Sequence, residues 1–202
     1  MNNTIILLPL MALISACGSS GGSSGAPNTG GGSDVSYGDL NAEYGRIRKD
    51  SARVAQNQGY TTNLPTSGTA TYAGVASFSE SANPQIIANA NLNVDFRDSS
   101  MSGSLSNFRG DDGTVFDGAM NLSDGAFDGS DGSISADISG HLTSDSARMS
   151  TVDSIGEFAG NFIGDNHQYV RGTTSAIWTT NTGTGTEEHI RMQGELAAEK
   201  QY

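Results

Sequence analysis

A single cysteine, four prolines and three histidines occur in 202 residues. One cysteine excludes an internal disulfide, so the core has to hold by packing and backbone pairing alone. Basic residues are scarce as well: ten Lys and Arg stand against 22 Asp and Glu, a formal net charge of −12. No basic stripe is available to neutralise phosphates, which argues against nucleic acid as a partner. The same acidity is repelled by anionic headgroups, so any membrane association must come from a covalent lipid. Lysine occurs only at Lys49 and Lys200, and no glycine-rich phosphate loop contains one. Long apolar runs are missing too. The run Ile5–Ile14 is too short to cross a hydrocarbon core, which takes roughly 20 helical residues.

That run does have the length of a signal-peptide apolar segment, with small residues ahead of a cleavage point. The stretch Ile14-Ser15-Ala16-Cys17 resembles the bacterial lipobox, in which the cysteine is lipidated and becomes the first mature residue. Residues 1–16 are therefore expected to be a signal peptide and Cys17 a lipidation site, although no Lys or Arg precedes the apolar run. Residues 17–33 read as a tether, since twelve of the sixteen residues from Gly18 to Ser33 are Gly or Ser. Such a coil has an r.m.s. reach of roughly 20–25 Å and almost nothing apolar to bury.

Residues 34–60 change character. Leu40, Tyr44, Ile47 and Val54 recur near helical spacing, with Ala55 beside them. An amphipathic helix is expected here, packed on the domain as a plug or cap.

Residues 61–202 make up the remaining domain, and from Ser67 onward the period becomes two. Ala70, Tyr72 and Gly74 alternate with Thr69, Thr71 and Ala73; Leu92, Val94 and Phe96 share a face, as do Met101, Gly103 and Leu105. Phe116, Met120 and Leu122 form another face, followed by Ile134, Ala136, Ile138 and Leu142. With 155–163, 169–178 and 188–196 this makes eight half-buried strands. The pairs Asp112-Gly113, Asp124-Gly125, Asp131-Gly132 and Gly164-Asp165 are read as hairpin turns, where glycine accepts positive φ. Eight hairpin-linked strands either close or leave edges exposed, and closure is the usual solution. The expected fold is all-β: an eight-stranded antiparallel β-barrel with a short N-terminal helical segment and a flexible lipidated tether.

Several of these segments have a familiar form. The segment Leu64-Pro-Thr-Ser-Gly-Thr-Ala-Thr-Tyr-Ala-Gly74 resembles the opening strand of the β-barrel domain of transferrin-binding protein B. Residues 91–96 and 101–108 are similar to its next hairpin, and Gly156-Glu-Phe-Ala-Gly-Asn-Phe-Ile-Gly164 resembles its repeat of phenylalanine and glycine. The same barrel recurs in factor H-binding protein and in secreted haem-binding proteins. The resemblance covers about residues 64–196. It implies a lipoprotein displayed on the exterior of the bacterial outer membrane. The expected partner is a host or environmental protein or haem, or, for an accessory protein, an outer-membrane receptor. Transferrin-binding protein B has two lobes, each with a handle and a barrel, whereas this chain holds one barrel and a helix. Transferrin contacts are therefore not transferred, and no residue matches a family ligand contact.

Chemistry is sparse. His141, His167 and His189 lie in different strands or turns, without metal spacing to a second His or Cys. His167, in the turn Gly164-Asp-Asn-His-Gln-Tyr169, is read as the most exposed and as the candidate haem ligand, since imidazole suits iron. The acidic run 124–132 lacks the Asp-x-Asp-x-Asp-Gly order of a calcium loop and reads as two hairpin turns. Gly18-Ser-Ser-Gly-Gly22 has the form of a nucleophile elbow but lies in the tether, with no strand before it and no helix after. No metal site, no cofactor and no catalysis are expected. Trp178, Tyr169 and Phe162 are either interface anchors or core, and one register slip inverts the answer. The functional expectation is a surface lipoprotein that binds a protein or an iron- or haem-related ligand through barrel-rim loops. The alternative is a structural or accessory envelope lipoprotein without its own ligand.

Overall fold

The computed structural model describes residues 35–80, 85–147, 149–181 and 185–202. One helix, α1 (Tyr37–Gln58), precedes eight strands: β1 (Thr69–Ser79), β2 (Gln85–Asp95), β3 (Ser100–Gly110), β4 (Val115–Phe127), β5 (Ser133–Ser144), β6 (Thr151–Ile163), β7 (Tyr169–Thr180) and β8 (Glu188–Lys200). Each strand pairs antiparallel with the next, and β8 returns to β1 to close the barrel. Closure leaves no free edge.

The alternation read from the sequence sorts the residues as expected. Tyr72, Leu92, Leu105, Met120, Ile138, Phe158, Trp178 and Leu196 point inward and are buried. Tilted and edge-on aromatic contacts fill the two ends of the interior separately. Tyr72, Phe96, Phe127 and Phe162 meet at one end; Phe78, Phe108, Phe116 and Trp178 meet at the other. Between β6 and β7, Gly160 faces Gly172 in register. A Cβ on Gly172 would run into the Ala159 carbonyl and the Gly160 Cα, so only glycine fits that approach.

The pair Asp124-Gly125 is not a hairpin turn. It lies inside β4, where the register with β5 shifts between Ser123 and Ala126 and Asp124 takes φ 50°. A bulge and a tight turn ask for the same left-handed residue, so the dipeptide alone does not distinguish them. The acidic run therefore holds one turn, Asp128–Gly132, rather than two.

Helix α1 begins with a capping box: the Asp39 amide donates to Ser36 Oγ (3.1 Å) and the Ser36 amide to Asp39 Oδ2 (3.2 Å). The Ser36 hydroxyl (2.7 Å) and then the Ser36 amide, both donating to Asp39 Oδ2, hold that carboxyl below its ordinary range. Its buried stripe is Leu40, Tyr44, Ile47 and Ser51, as the spacing indicates. The destination differs from the expected plug or cap. The stripe packs on outward-facing Val75, Ile87, Ile163, Tyr169 and Ala197, so the helix lies along the outside of the barrel wall. Twenty-two residues at a rise of ~1.5 Å each span ~33 Å, about the length of tilted strands of this size. The helix thus runs from one rim to the other. Its start is held at the rim where β1, β3, β5 and β7 end (rim II, opposite rim I); there Arg109 Nε donates to the Val35 carbonyl (2.9 Å) and Tyr37 Oη to Gln85 Oε1 (2.7 Å). Its end is held at rim I, where the Gly164 amide donates to the Gly59 carbonyl (3.2 Å).

Candidate functional site

Rim I gathers the β2–β3, β4–β5 and β6–β7 turns, the start of β1 and the end of β8. The chain leaving α1 crosses this rim before entering β1, and backbone groups fix its path. The Thr61 amide donates to Phe162 O (3.0 Å), Thr61 Oγ1 to Gly164 O (2.6 Å), and Leu64 packs against the interior cluster. Segment 60–66 therefore supplies the cover that the helix does not. Beside it lies a groove of about 530 Å³ whose walls include Asn63, Leu64, Pro65, Phe96, Arg97 and Phe127. Asp128 borders this region, and bonds from the Ser130 hydroxyl (2.6 Å) and amide (2.7 Å) hold its carboxyl below the ordinary range.

On the same rim His167 adopts φ 45°, and its ring lies against the barrel end. The ring meets Phe96 edge-on at 5.0 Å between centroids, and Nε2 lies 2.7 Å from Lys200 Nζ. An ammonium can only donate, so Nε2 is the acceptor and the imidazole is neutral. Burial, and then the Lys200 charge, lower the His167 pKa. The His167 carbonyl accepts from Tyr72 Oη (2.9 Å), and burial pushes that phenol well above its ordinary range. The expectation of His167 as the most exposed histidine is corrected: it is half-buried, while His141 and His189 are exposed on the outer wall. A turn residue folded inward by positive φ gives no sign of this in its spacing. With Nε2 engaged by Lys200, His167 does not present that nitrogen to iron.

Residues 64–200 match the C-lobe and N-lobe β-barrels of Tf-binding protein B. The chain belongs to this family. Two solved structures are similar in addition. The intact Ap-TbpB, with N and C lobes, gives a TM-score of 0.47 at 18% identity, covering 71% of this chain and 28% of that one. A mutant of the vaccine antigen transferrin-binding protein B from Haemophilus parasuis Hp5 gives 0.38 at 19%, covering 68% and 27%. This chain therefore spans less than a third of the length of either. No curated protein matches.

The family barrel starts at residue 64, which leaves α1 and most of the rim segment before it. Of the aromatics weighed as interface anchors, Phe162 and Trp178 are interior, and Tyr169 is buried beneath α1. The exposed aromatics are instead Tyr60 (61%) and Tyr202 (97%), which sequence reasoning missed. Both lie where the strand alternation has not begun or has ended, so no periodicity marks them. No group of three or more acidic, His or Cys residues able to hold a metal occurs among the described residues. No helix among them is long and apolar enough to cross a membrane. Cys17, the signal peptide and the tether lie outside the described residues.

Proposed function

We propose that this chain is a lipid-anchored protein of the bacterial outer-membrane surface that captures a protein or an iron-related ligand on rim I. One observation carries the reading: the described chain starts at one rim, and the exposed aromatics stand at the other. Val35 is bonded to Arg109 at rim II, so a tether from Cys17 would join the barrel there. Tyr60 and Tyr202 project from rim I, at the opposite end. Exposed aromatics concentrate binding energy. They favour a binder over an accessory protein with no ligand of its own. The family description names a Tf-binding protein, which makes transferrin the first probe and haem the second.

The test has two arms. In cells, Cys17→Ser is expected to move the protein out of the membrane fraction, and protease shaving of intact cells is expected to remove the wild-type domain. A variant that stays in the membrane overturns the anchor. With the purified full chain, transferrin binding or a Soret band on haem titration, weakened by Tyr60→Ala, supports capture on rim I. No binding of either probe at micromolar concentration, in protein that still fractionates with membranes, sinks the ligand reading and leaves the anchor standing.

A further inference from the structure

His167 is the one imidazole that joins separate parts of rim I. Its ring packs on Phe96 at the end of β2, its carbonyl holds Tyr72 of β1, and its Nε2 takes Lys200 at the end of β8. Neighbouring backbone bonds complete the joint. The His167 amide donates to Gly164 O (2.9 Å), the Lys200 amide to Gln168 O (2.8 Å), and the Gln201 amide to Thr71 O (2.9 Å). We propose that His167 is an acid-sensitive latch, whose protonation breaks its contact with Lys200 and loosens the β6–β7 turn from the end of β8.

The chemistry follows from donor counting. Neutral imidazole offers one lone pair, and the Lys200 ammonium uses it at 2.7 Å. Protonation places an N–H on Nε2, so two donors and two positive charges then face each other. One side has to withdraw. The charged group facing the ring is Lys200 of β8. The titratable groups beside the pair are Tyr72 of β1 and Tyr202, whose ring lies 5.6 Å from Lys200 Nζ. Phe96, just after β2, brings no charge, and burial holds the Tyr72 phenol far above the acid range. The lowered pKa of His167 is consistent with this arrangement and is caused first by burial. The other two histidines supply contrasts. His141 Nδ1 faces the Asp153 carboxylate at 2.7 Å, where protonation adds attraction, and His189 Nδ1 meets the Thr179 hydroxyl at 3.0 Å. The latch stands on these contacts whether or not rim I binds a partner.

Amide hydrogen exchange on the full chain, corrected for intrinsic rates, reads the latch directly. Between about pH 7.5 and about pH 5, protection at His167, Lys200 and Gln201 is expected to fall about tenfold relative to core amides of β4 and β5. In His167→Gln, whose amide oxygen accepts from Lys200 without titrating, protection is expected to stay flat. An equal fall in that variant, or no fall in the wild type, overturns the proposal. Lys200→Met keeps the question open to measurement if His167→Gln folds poorly. Removing the ammonium is expected to raise the NMR titration midpoint of His167, and an unchanged midpoint also overturns the latch.

Discussion

Arg48 on α1 reaches Glu195 on β8, with Nε 3.1 Å from Oε2, and the other oxygen of the same carboxylate takes Arg171 of β7. Tyr44 Oη donates to Oε2 at 3.3 Å, and Ser77 Oγ donates on to Tyr44 at 3.1 Å. One carboxylate, only 19% exposed, therefore ties helix, two strands and a phenol together. Surface ion pairs contribute little, but a covered carboxylate that satisfies several donors is costly to remove.

Glu195→Ala is accordingly expected to destabilise the protein by about 1–3 kcal/mol, because two guanidinium groups and a tyrosine lose their acceptor. Urea unfolding measures this. A change below about 0.5 kcal/mol would place the residue among ordinary surface positions.

The helix also rests on packing. Ile47 is fully buried against the outward faces of the wall, whereas Val54 is half-buried at the end of the stripe. Ile47→Ala is expected to cost about 2–4 kcal/mol and Val54→Ala less than about 1.5 kcal/mol. Equal losses in chemical denaturation would mean that the stripe is not centred on Ile47.

The barrel was legible because its signal is repeated eight times: inward residues are mostly apolar, and outward ones are mostly polar, as in Ile134 to Leu142. The helix face was legible for the same reason, through Leu40, Tyr44 and Ile47. Its destination was not, because an apolar stripe reports only that it is covered. The outward Val75, Ile87 and Ala197 that receive it sit in strands whose inward face is also apolar. Segment 60–66 left no trace since carbonyls of Phe162 and Gly164 hold it, and backbone bonds carry no sequence pattern. Asp124-Gly125 and His167 share one cause of misreading: positive φ at each marks a local bend, which serves a bulge or an inward-folded turn as readily as an exposed hairpin.

Acid should weaken this fold before the carboxylates titrate. Burial lowers the His167 pKa in the folded state, so the folded form favours neutral imidazole and the unfolded chain binds the proton more readily. The contribution is fully present above the unfolded value near 6.5 and is lost as pH falls from there through the lower folded pKa. Unfolding free energy is expected to drop over that window in the wild type and to stay level in His167→Gln. A second decline should follow at more acid pH in both, since Asp39, Glu43 and Asp128 are held below their ordinary values. Identical curves for the two proteins near pH 6 would assign the first decline to another group.

Ile155 (76% exposed) and Ile177 (50% exposed) are register partners on the outer face of β6 and β7. Their lateral neighbours are Ser139 and Arg191, and Asp153, Glu157, Ser175 and Thr179 lie above and below on the same face. Both side chains leave water only partly on folding, so neither contributes much transfer free energy, and the cross-strand contact accounts for a few tenths of a kcal/mol. The double substitution Ile155→Thr with Ile177→Thr keeps β-branched side chains that suit a strand. It is expected to change stability by less than about 1 kcal/mol while removing the apolar spot from an otherwise polar wall. Sedimentation velocity at rising concentration, run beside urea unfolding, separates the two effects. A loss of several kcal/mol would mean that the pair is covered in the native protein.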